Sequence, residues 1–262
     1  MLKEKQCNEL TGKEWLQNSF SIWRNLSKSK EEKDFMHPAS FPVTLCEKII
    51  KSFSKPNSNI LDPFNGIGST MVAAKNLNRF GTGIDLSKKF CNIAKKRVAN
   101  YEKISIINGD SLKVIDKLIE KSYDLCLTSP PYWNILNMKR SADGKEKVNY
   151  SNKNKDLGNI SDYQIFLKLL GEVFSKVYKV LNHGGYCIVN VMDIRKQSNF
   201  FALHIDMVEI LKPLGFILDD IIIWDRQQEY NNMRPLGYPF KFIVNKVHEY
   251  LLIFRKLPNE QK

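Results

Sequence analysis

The strongest constraint on this chain is an alternation. Short β-branched runs at Asn59–Leu61, Gly81–Ile84, Ile104–Ile107, Tyr123–Leu127, Tyr186–Val191, Phe216–Trp224 and His248–Phe254 are separated by amphipathic stretches at Phe41–Phe53, Ser69–Leu77, Lys88–Asn100, Leu112–Ile119, Tyr163–Leu181 and Ala202–Leu211. Extended runs alternating with helical ones at this spacing predict right-handed βαβ crossovers. The expected fold is α/β: a doubly wound, mainly parallel, seven-stranded sheet that binds ligands at the carboxyl ends of its strands. Between the last two runs lies only Arg226 to Val247, with Gly and Pro and no helical pattern. Those two strands are therefore expected to pair antiparallel, the last one reversed. A further helix is predicted at Thr11–Leu26, making residues 1–36 a helical extension of a single domain over 1–262.

Charge narrows the partner. Forty Lys+Arg against 28 Asp+Glu give +12 at pH 7, while 43% hydrophobic residues suffice for a core. A solvated lysine surface and a polyanionic partner both fit that surplus. The stretch from Lys139 to Lys155 holds Lys139, Arg140, Lys145, Lys147, Lys153 and Lys155 against Asp143 and Glu146. It reads as a polar loop free to meet phosphates. No window is apolar enough to span a membrane and the first residues lack a signal-peptide core, so a cytoplasmic protein is expected. Five scattered cysteines and four scattered histidines offer neither disulfide pairing nor a metal cluster by spacing.

Three strand ends carry carboxylates. Asn59-Ile-Leu-Asp62-Pro-Phe-Asn-Gly66-Ile-Gly68-Ser-Thr70 reads as strand, glycine turn and helix start. Met71 replaces the third glycine of a dinucleotide fingerprint, and no Gly-Lys-Ser/Thr follows for a P-loop. Asp62 would repel a pyrophosphate and suit an ammonium or sulfonium group. Asp85 closes the second strand, where an acid can accept from ribose hydroxyls, and Asp110 follows the third, within reach of an adenine amine. Singly, Asp85 or Asp110 could merely cap a helix. The fourth strand runs into Thr128-Ser129-Pro130-Pro131-Tyr132-Trp133. Two prolines leave carbonyls without their donors, and with Tyr132 to stack, the group suits a planar amine.

Asp62-Pro-Phe-Asn-Gly-Ile-Gly-Ser-Thr70 together with Thr128-Ser-Pro-Pro-Tyr-Trp133 resembles the S-adenosylmethionine-dependent DNA methyltransferases of exocyclic amines. His37-Pro-Ala-Ser-Phe41-Pro and His248-Glu-Tyr-Leu-Leu-Ile-Phe-Arg-Lys256 resemble that family's segment before the glycine turn and its closing strand, so the likeness covers about residues 11 to 256. The resemblance implies a Rossmann-like methyltransferase fold with S-adenosyl-L-methionine as cofactor. It implies that Phe64, Gly66 and Gly68 frame the methionine part, with Asp62 near its amine. Asp85 would hold the ribose, Asp110 the adenine amine, Phe41 would close the pocket, and Thr128 counts with the cofactor residues. The catalytic tetrad falls on Ser129, Pro130, Pro131 and Tyr132. A tetrad beginning with Ser resembles the cytosine-N4 enzymes; adenine-N6 methylation is the alternative, followed by RNA methylation and a noncatalytic nucleic-acid-binding module.

The chemistry expected of such a site is direct transfer. Ser129 Oγ and the Pro130 carbonyl would accept the amine's two protons and favour a pyramidal nitrogen. No Pro-Cys occurs, so the covalent route of carbon-5 methylation is not expected, and Cys126 reads as packing. Double-stranded DNA is the implied partner, and residues 134–160 and 226–247 are candidate recognition insertions. Arg226 and Arg234 are offered there as guanine readers. A separately encoded cognate restriction endonuclease and action as a monomer or weak dimer are consistent with the resemblance.

Overall fold

The β-branched runs become strands because their alternate residues serve two different cores. The computed structural model describes residues 6–35, 40–134, 156–230, 233 and 235–257; His37, Lys139, Arg140, Lys145, Lys147 and Arg234 lie outside them. In chain order the elements are α1 (Gly12–Asn18), β1 (Ile22–Trp23), α2 (Lys30–Asp34), α3 (Val43–Phe53), β2 (Asn59–Asp62), α4 (Ser69–Asn76), β3 (Phe80–Asp85), α5 (Lys88–Arg97), β4 (Ile104–Asn108), α6 (Ser111–Val114), β5 (Tyr123–Thr128), α7 (Tyr163–Val180), β6 (Leu181–Val191), β7 (Ile194–Lys196), β8 (Asn199–Phe201), α8 (Leu203–Leu211), β9 (Phe216–Asp225) and β10 (His248–Lys256). The main sheet has the order β1-β9-β10-β6-β5-β2-β3-β4. Every pairing within β6-β5-β2-β3-β4 is parallel, and β10 runs antiparallel to both β6 and β9. The seven strands and the reversed last strand agree with expectation.

Along β5, Leu125 and Leu127 enter the core beneath α3 and α4, whereas Cys126 enters the opposite core against α7. Ile60 and Leu61 of β2 divide in the same way, as successive strand side chains must. Asp162 caps α7 by accepting from the Ile165 N–H at 2.8 Å. The helix then buries Phe166, Leu170, Val173, Phe174 and Val177 on one face. Each such side chain stabilises by roughly 1.5–3 kcal/mol relative to exposure.

The N-terminal region departs from the predicted helix at Thr11–Leu26. A Thr11–Glu14 capping box starts α1, but the helix ends at Asn18. Trp23 then buries completely, its indole N–H donating to Asn18 O at 3.2 Å. Ile22 and Trp23 pair with Ile223 and Trp224 as a two-residue eighth strand. Burying a tryptophan against β9 outweighs the few helical hydrogen bonds forgone. Among the described residues no helix is long and apolar enough to cross a membrane.

Candidate active site

The turn between β2 and α4 is shaped by its glycines. Gly66 and Gly68 adopt φ of 50° and 84°, a region that disfavours other residues. A Cβ on Gly68 would sit 2.9 Å from Ala94 Cβ, so its absence lets α5 approach the turn. Asn65 lies flat over β3, where a Cβ at Gly83 would fall 2.4 Å from Asn65 Oδ1. Asp85, at the tip of β3, accepts from the Gly66 N–H at 2.7 Å and from the Ser87 N–H at 2.8 Å. Its carboxylate thereby clamps the turn to the start of α5.

Asp62 is almost fully buried, at 1% exposure. Its carboxylate accepts from Thr70 Oγ1 and Thr128 Oγ1, each at 2.6 Å, and from the Phe64 N–H at 3.0 Å. Burial raises its pKa to about 6 despite these donors, and no cation forms an ion pair with it among the described residues. The same cleft is lined by Phe41, Phe64, Asn65, Gly66, Ser69 and Ser129. The side-chain amide of Asn65 and the hydroxyl of Ser69 are buried there without a hydrogen-bond partner. Buried polar groups normally find partners, so unmet donors and acceptors beside a cation-seeking carboxylate describe a ligand site. The donor set fits the amino-acid end of S-adenosylmethionine, whose ammonium and sulfonium are cationic and whose carboxylate takes N–H and O–H donors.

Ser129 stands at the far side of this cleft. Its Oγ lies 3.1 Å from Tyr132 Oη. Tyr132 Oη donates to Glu249 Oε2 at 2.7 Å and accepts from Asn190 Nδ2 at 3.0 Å. Asn190 Nδ2 also reaches Glu249 Oε2 at 2.5 Å. Burial and the Glu249 charge hold the Tyr132 phenol well above its ordinary pKa, so it remains a donor. Glu249 Oε1 meets Arg226 Nη1, and Arg226 Nη2 reaches Glu229 Oε2 at 2.6 Å. Burial opposes the charge of Arg226, but Glu249 and Glu229 outweigh it and raise its pKa.

Asn190 and Glu249 escaped the sequence reading. Since β10 runs antiparallel, its first residues sit at the carboxyl edge of the parallel strands, with Glu249 opposite Trp224 of β9. A carboxylate at the second position of a reversed strand, just before its apolar stretch Tyr250–Phe254, is the signal that could have found Glu249. A lone amide interrupting the apolar run Cys187–Val191 is the signal for Asn190. The other expected residues fall as follows. Asp110 caps α6, accepting from the Leu112 N–H at 3.1 Å. Arg226 lies beneath the tetrad in the Glu249 pair. Cys126 is buried, and burial with the neighbouring Cys187 raises its thiol pKa well above the usual value. The loop cations and Arg234 lie outside the described residues.

Comparison with known proteins agrees with this geometry. Over 122 residues the chain is 35% identical to the Type II methyltransferase M.BglII of Bacillus subtilis, covering 46% of this chain and 33% of that protein. Over 168 residues it is 30% identical to the Type II methyltransferase M.MjaI of Methanocaldococcus jannaschii, covering 58% and 55%. The chain thus spans between a third and just over half of these relatives. The crystal structure of TrmN from Thermus thermophilus superposes over 84% of this chain and 50% of that one, with a TM-score of 0.53 and 15% identity, a likeness of fold. The profile of the N6/N4 DNA methylase family matches residues 2–96 and 123–262, most of the sequence, and with the strand-end carboxylates, glycine turn and Ser-Pro-Pro-Tyr tetrad in place this chain belongs to that family.

Proposed function

We propose that this chain methylates DNA, transferring a methyl group from S-adenosylmethionine to the exocyclic N4 amine of a cytosine flipped out of the duplex. The observation that carries the reading is a shared cleft. Asp62 and Ser129 line it together, and the Thr128 hydroxyl ties Asp62 to the strand that delivers the tetrad. When bound, the cofactor supplies an electrophilic methyl carbon on a sulfonium centre. Asp62 holds the cationic end, Asn65 and Ser69 offer their unmet polar groups, and Phe41 and Phe64 form the apolar walls.

On the base side, an exocyclic amine is a poor nucleophile because its lone pair is delocalised. Ser129 Oγ and the Pro130 carbonyl accept its two N–H groups, which draws the lone pair out of the ring plane. Ser129, unlike a carboxylate, offers only a neutral acceptor, which supports the more acidic amine of cytosine. The proton leaving the amine has a hydrogen-bonded route from Ser129 Oγ through Tyr132 Oη, 3.1 Å away, to Glu249 Oε2, 2.7 Å further. Flipping the base costs a few kcal/mol of unstacking, which the Tyr132 ring offsets by stacking.

The named Type II relatives support a place in restriction and modification alongside a separately encoded endonuclease. Nucleoside analysis of DNA from a methylase-free host expressing the chain tests the reading. N4-methylcytosine is expected, abolished by Ser129→Ala with cofactor binding retained. N6-methyladenine would move the target to adenine, and finding neither base would overturn the proposal.

A further inference from the structure

Next to the tetrad stands a group of cations that the cofactor cleft does not use. The β7–β8 hairpin pairs Arg195 with Phe200 and Lys196 with Asn199. It is anchored on the residue that follows the tetrad: Trp133 packs edge-on against Phe201 with ring centroids 5.1 Å apart. Lys196 Nζ lies 3.9 Å from the Trp133 ring centroid and donates to Asn134 Oδ1 at 3.3 Å. The Arg195 guanidinium lies 5.4 Å from the ring of Phe200, and Lys246 Nζ lies 4.4 Å from that same ring. Phe200 itself is 48% exposed.

Two cations gathered on one ring repel each other, and burial together with Arg195 lowers the pKa of Lys246. Among the described residues none of Arg195, Lys196 and Lys246 forms an ion pair with a carboxylate. Asp193, the acid that acts on Lys246, has its Oδ1 bound to His204 Nδ1 at 2.6 Å. Arg195 Nε is buried with no hydrogen-bond partner. Cation–π contact with Phe200 and Trp133 offsets part of the repulsion but supplies no counter-charge. Two cations on the exposed Phe200 ring and a third beside Trp133, none with a carboxylate partner among the described residues, supply the positive edge that a polyanion backbone requires of a protein surface.

We infer that Arg195, Lys196 and Lys246 form a phosphate-gripping edge that holds the DNA backbone beside the flipped nucleotide, with the β7–β8 hairpin as its contact element. The inference rests on the DNA methyltransferase reading. It assigns to described residues a role that the sequence placed on the Lys139–Lys155 loop, and it adds to that loop without replacing it.

The test is a salt titration of binding. A fluorescein-labelled 30-base-pair duplex is titrated with the full chain and with the triple variant Arg195→Ala, Lys196→Ala, Lys246→Ala, at a series of salt concentrations. Each phosphate contact contributes about 0.9 to the slope of log affinity against log salt. The triple variant is therefore expected to lose roughly 2–3 from the slope and at least about tenfold in affinity at low salt. Its affinity for S-adenosylhomocysteine should stay unchanged, which reports an intact fold. A charge-matched control, Lys89→Ala, Lys95→Ala, Lys96→Ala on α5, should leave the slope nearly unaltered. An unchanged slope in the hairpin variant, or an equal loss in the control, overturns the inference and leaves the methyltransferase reading standing. A wild-type chain that binds no duplex at any salt removes that reading as well. A hairpin-dependent slope seen on single-stranded RNA and absent on duplex DNA also overturns the inference.

Discussion

The two halves of the sheet build their shares of the site by different means. In the half formed by β4, β3, β2 and β5, the cofactor cleft is gathered largely around one glycine turn. Asp62 accepts from the Phe64 N–H and from Thr70 Oγ1, two and eight residues away, and Asp85 from the Gly66 N–H, nineteen away, while Thr128 Oγ1 reaches Asp62 from 66 residues along the chain. In the half formed by β6, β10 and β9, side chains meet across the fold: Tyr132 joins Asn190 and Glu249 over separations of 58 and 117 residues. The first half is vulnerable at its glycines, where an added carbon would meet Ala94 of α5 or the Asn65 side chain. The second is vulnerable at its charges, where one deletion strands several buried partners.

The largest effect is expected in the second half. Glu249→Ala removes the acceptor of the Tyr132 phenol and of Asn190 and leaves the Arg226 guanidinium, about one-fifth exposed, facing only Glu229. Breaking a buried pair by removing one partner costs about 3–5 kcal/mol, and the partial exposure of Arg226 places the loss near the lower end. Urea denaturation measures it. A loss under about 1 kcal/mol would show that water replaces the carboxylate and that the network is no more than a surface ion pair. Glu249→Gln keeps an acceptor for Tyr132 and should recover part of the stability while still impairing methyl transfer.

This contrast also sets what the sequence could disclose. The seven long strands were legible as short β-branched or apolar runs set between helical stretches, as in Tyr123–Thr128, a central strand buried at nearly every residue. Two- and three-residue strands carry no period, so β1 and the β7–β8 hairpin were invisible, although the hairpin packs on Trp133 beside the tetrad. The glycine turn and the tetrad were legible because each is contiguous. Asp85 and Asp110 were read as ligand groups or as caps, and the structure gives both a backbone hydrogen bond, on Gly66 and on Leu112. Arg226 was offered as a base reader because it lies in a basic, irregular stretch. Which acid faces it depends on the register of β9 against β10, with His248 opposite Asp225, and no local pattern encodes that register.

A second substitution separates the halves from the other side. Gly83→Ala places a methyl 2.4 Å from Asn65 Oδ1. The obstacle is the end of a short side chain that can swing into the cleft it lines, so the fold should lose about 1 kcal/mol, the ordinary cost of a point substitution. Asn65 then leaves its place in the cleft lining. Affinity for S-adenosylhomocysteine, measured by calorimetry, should fall roughly tenfold to a hundredfold, the equivalent of one hydrogen bond to a charged group. Comparable losses in stability and in affinity would mean that the turn is a folding element first and a ligand cradle second.

The smallest effect on affinity is the most specific to the first half, and it turns on the sign of a pH dependence. Burial raises Asp62 to about 6 in the folded chain, against about 3.9 when unfolded. The fold therefore favours the protonated acid. The stability this group contributes is fully present below about 3.9 and is lost as pH rises through about 6, a swing of roughly 3 kcal/mol at most. That is the reverse of a salt-bridged carboxylate. A cationic ligand needs the ionised form, so cofactor affinity should be flat above pH 7 and fall about tenfold by pH 5 as Asp62 takes up a proton. Comparing wild type with Asp62→Asn isolates the group from other acids, because the variant should lack both trends while binding ligand weakly throughout. Stability that rises on acidification between about pH 6 and 3.9, with affinity that falls around a midpoint near pH 6, would identify Asp62 as the anionic wall of the cleft. Two trends of the same sign would mean that a cation already neutralises it in the ligand-free chain.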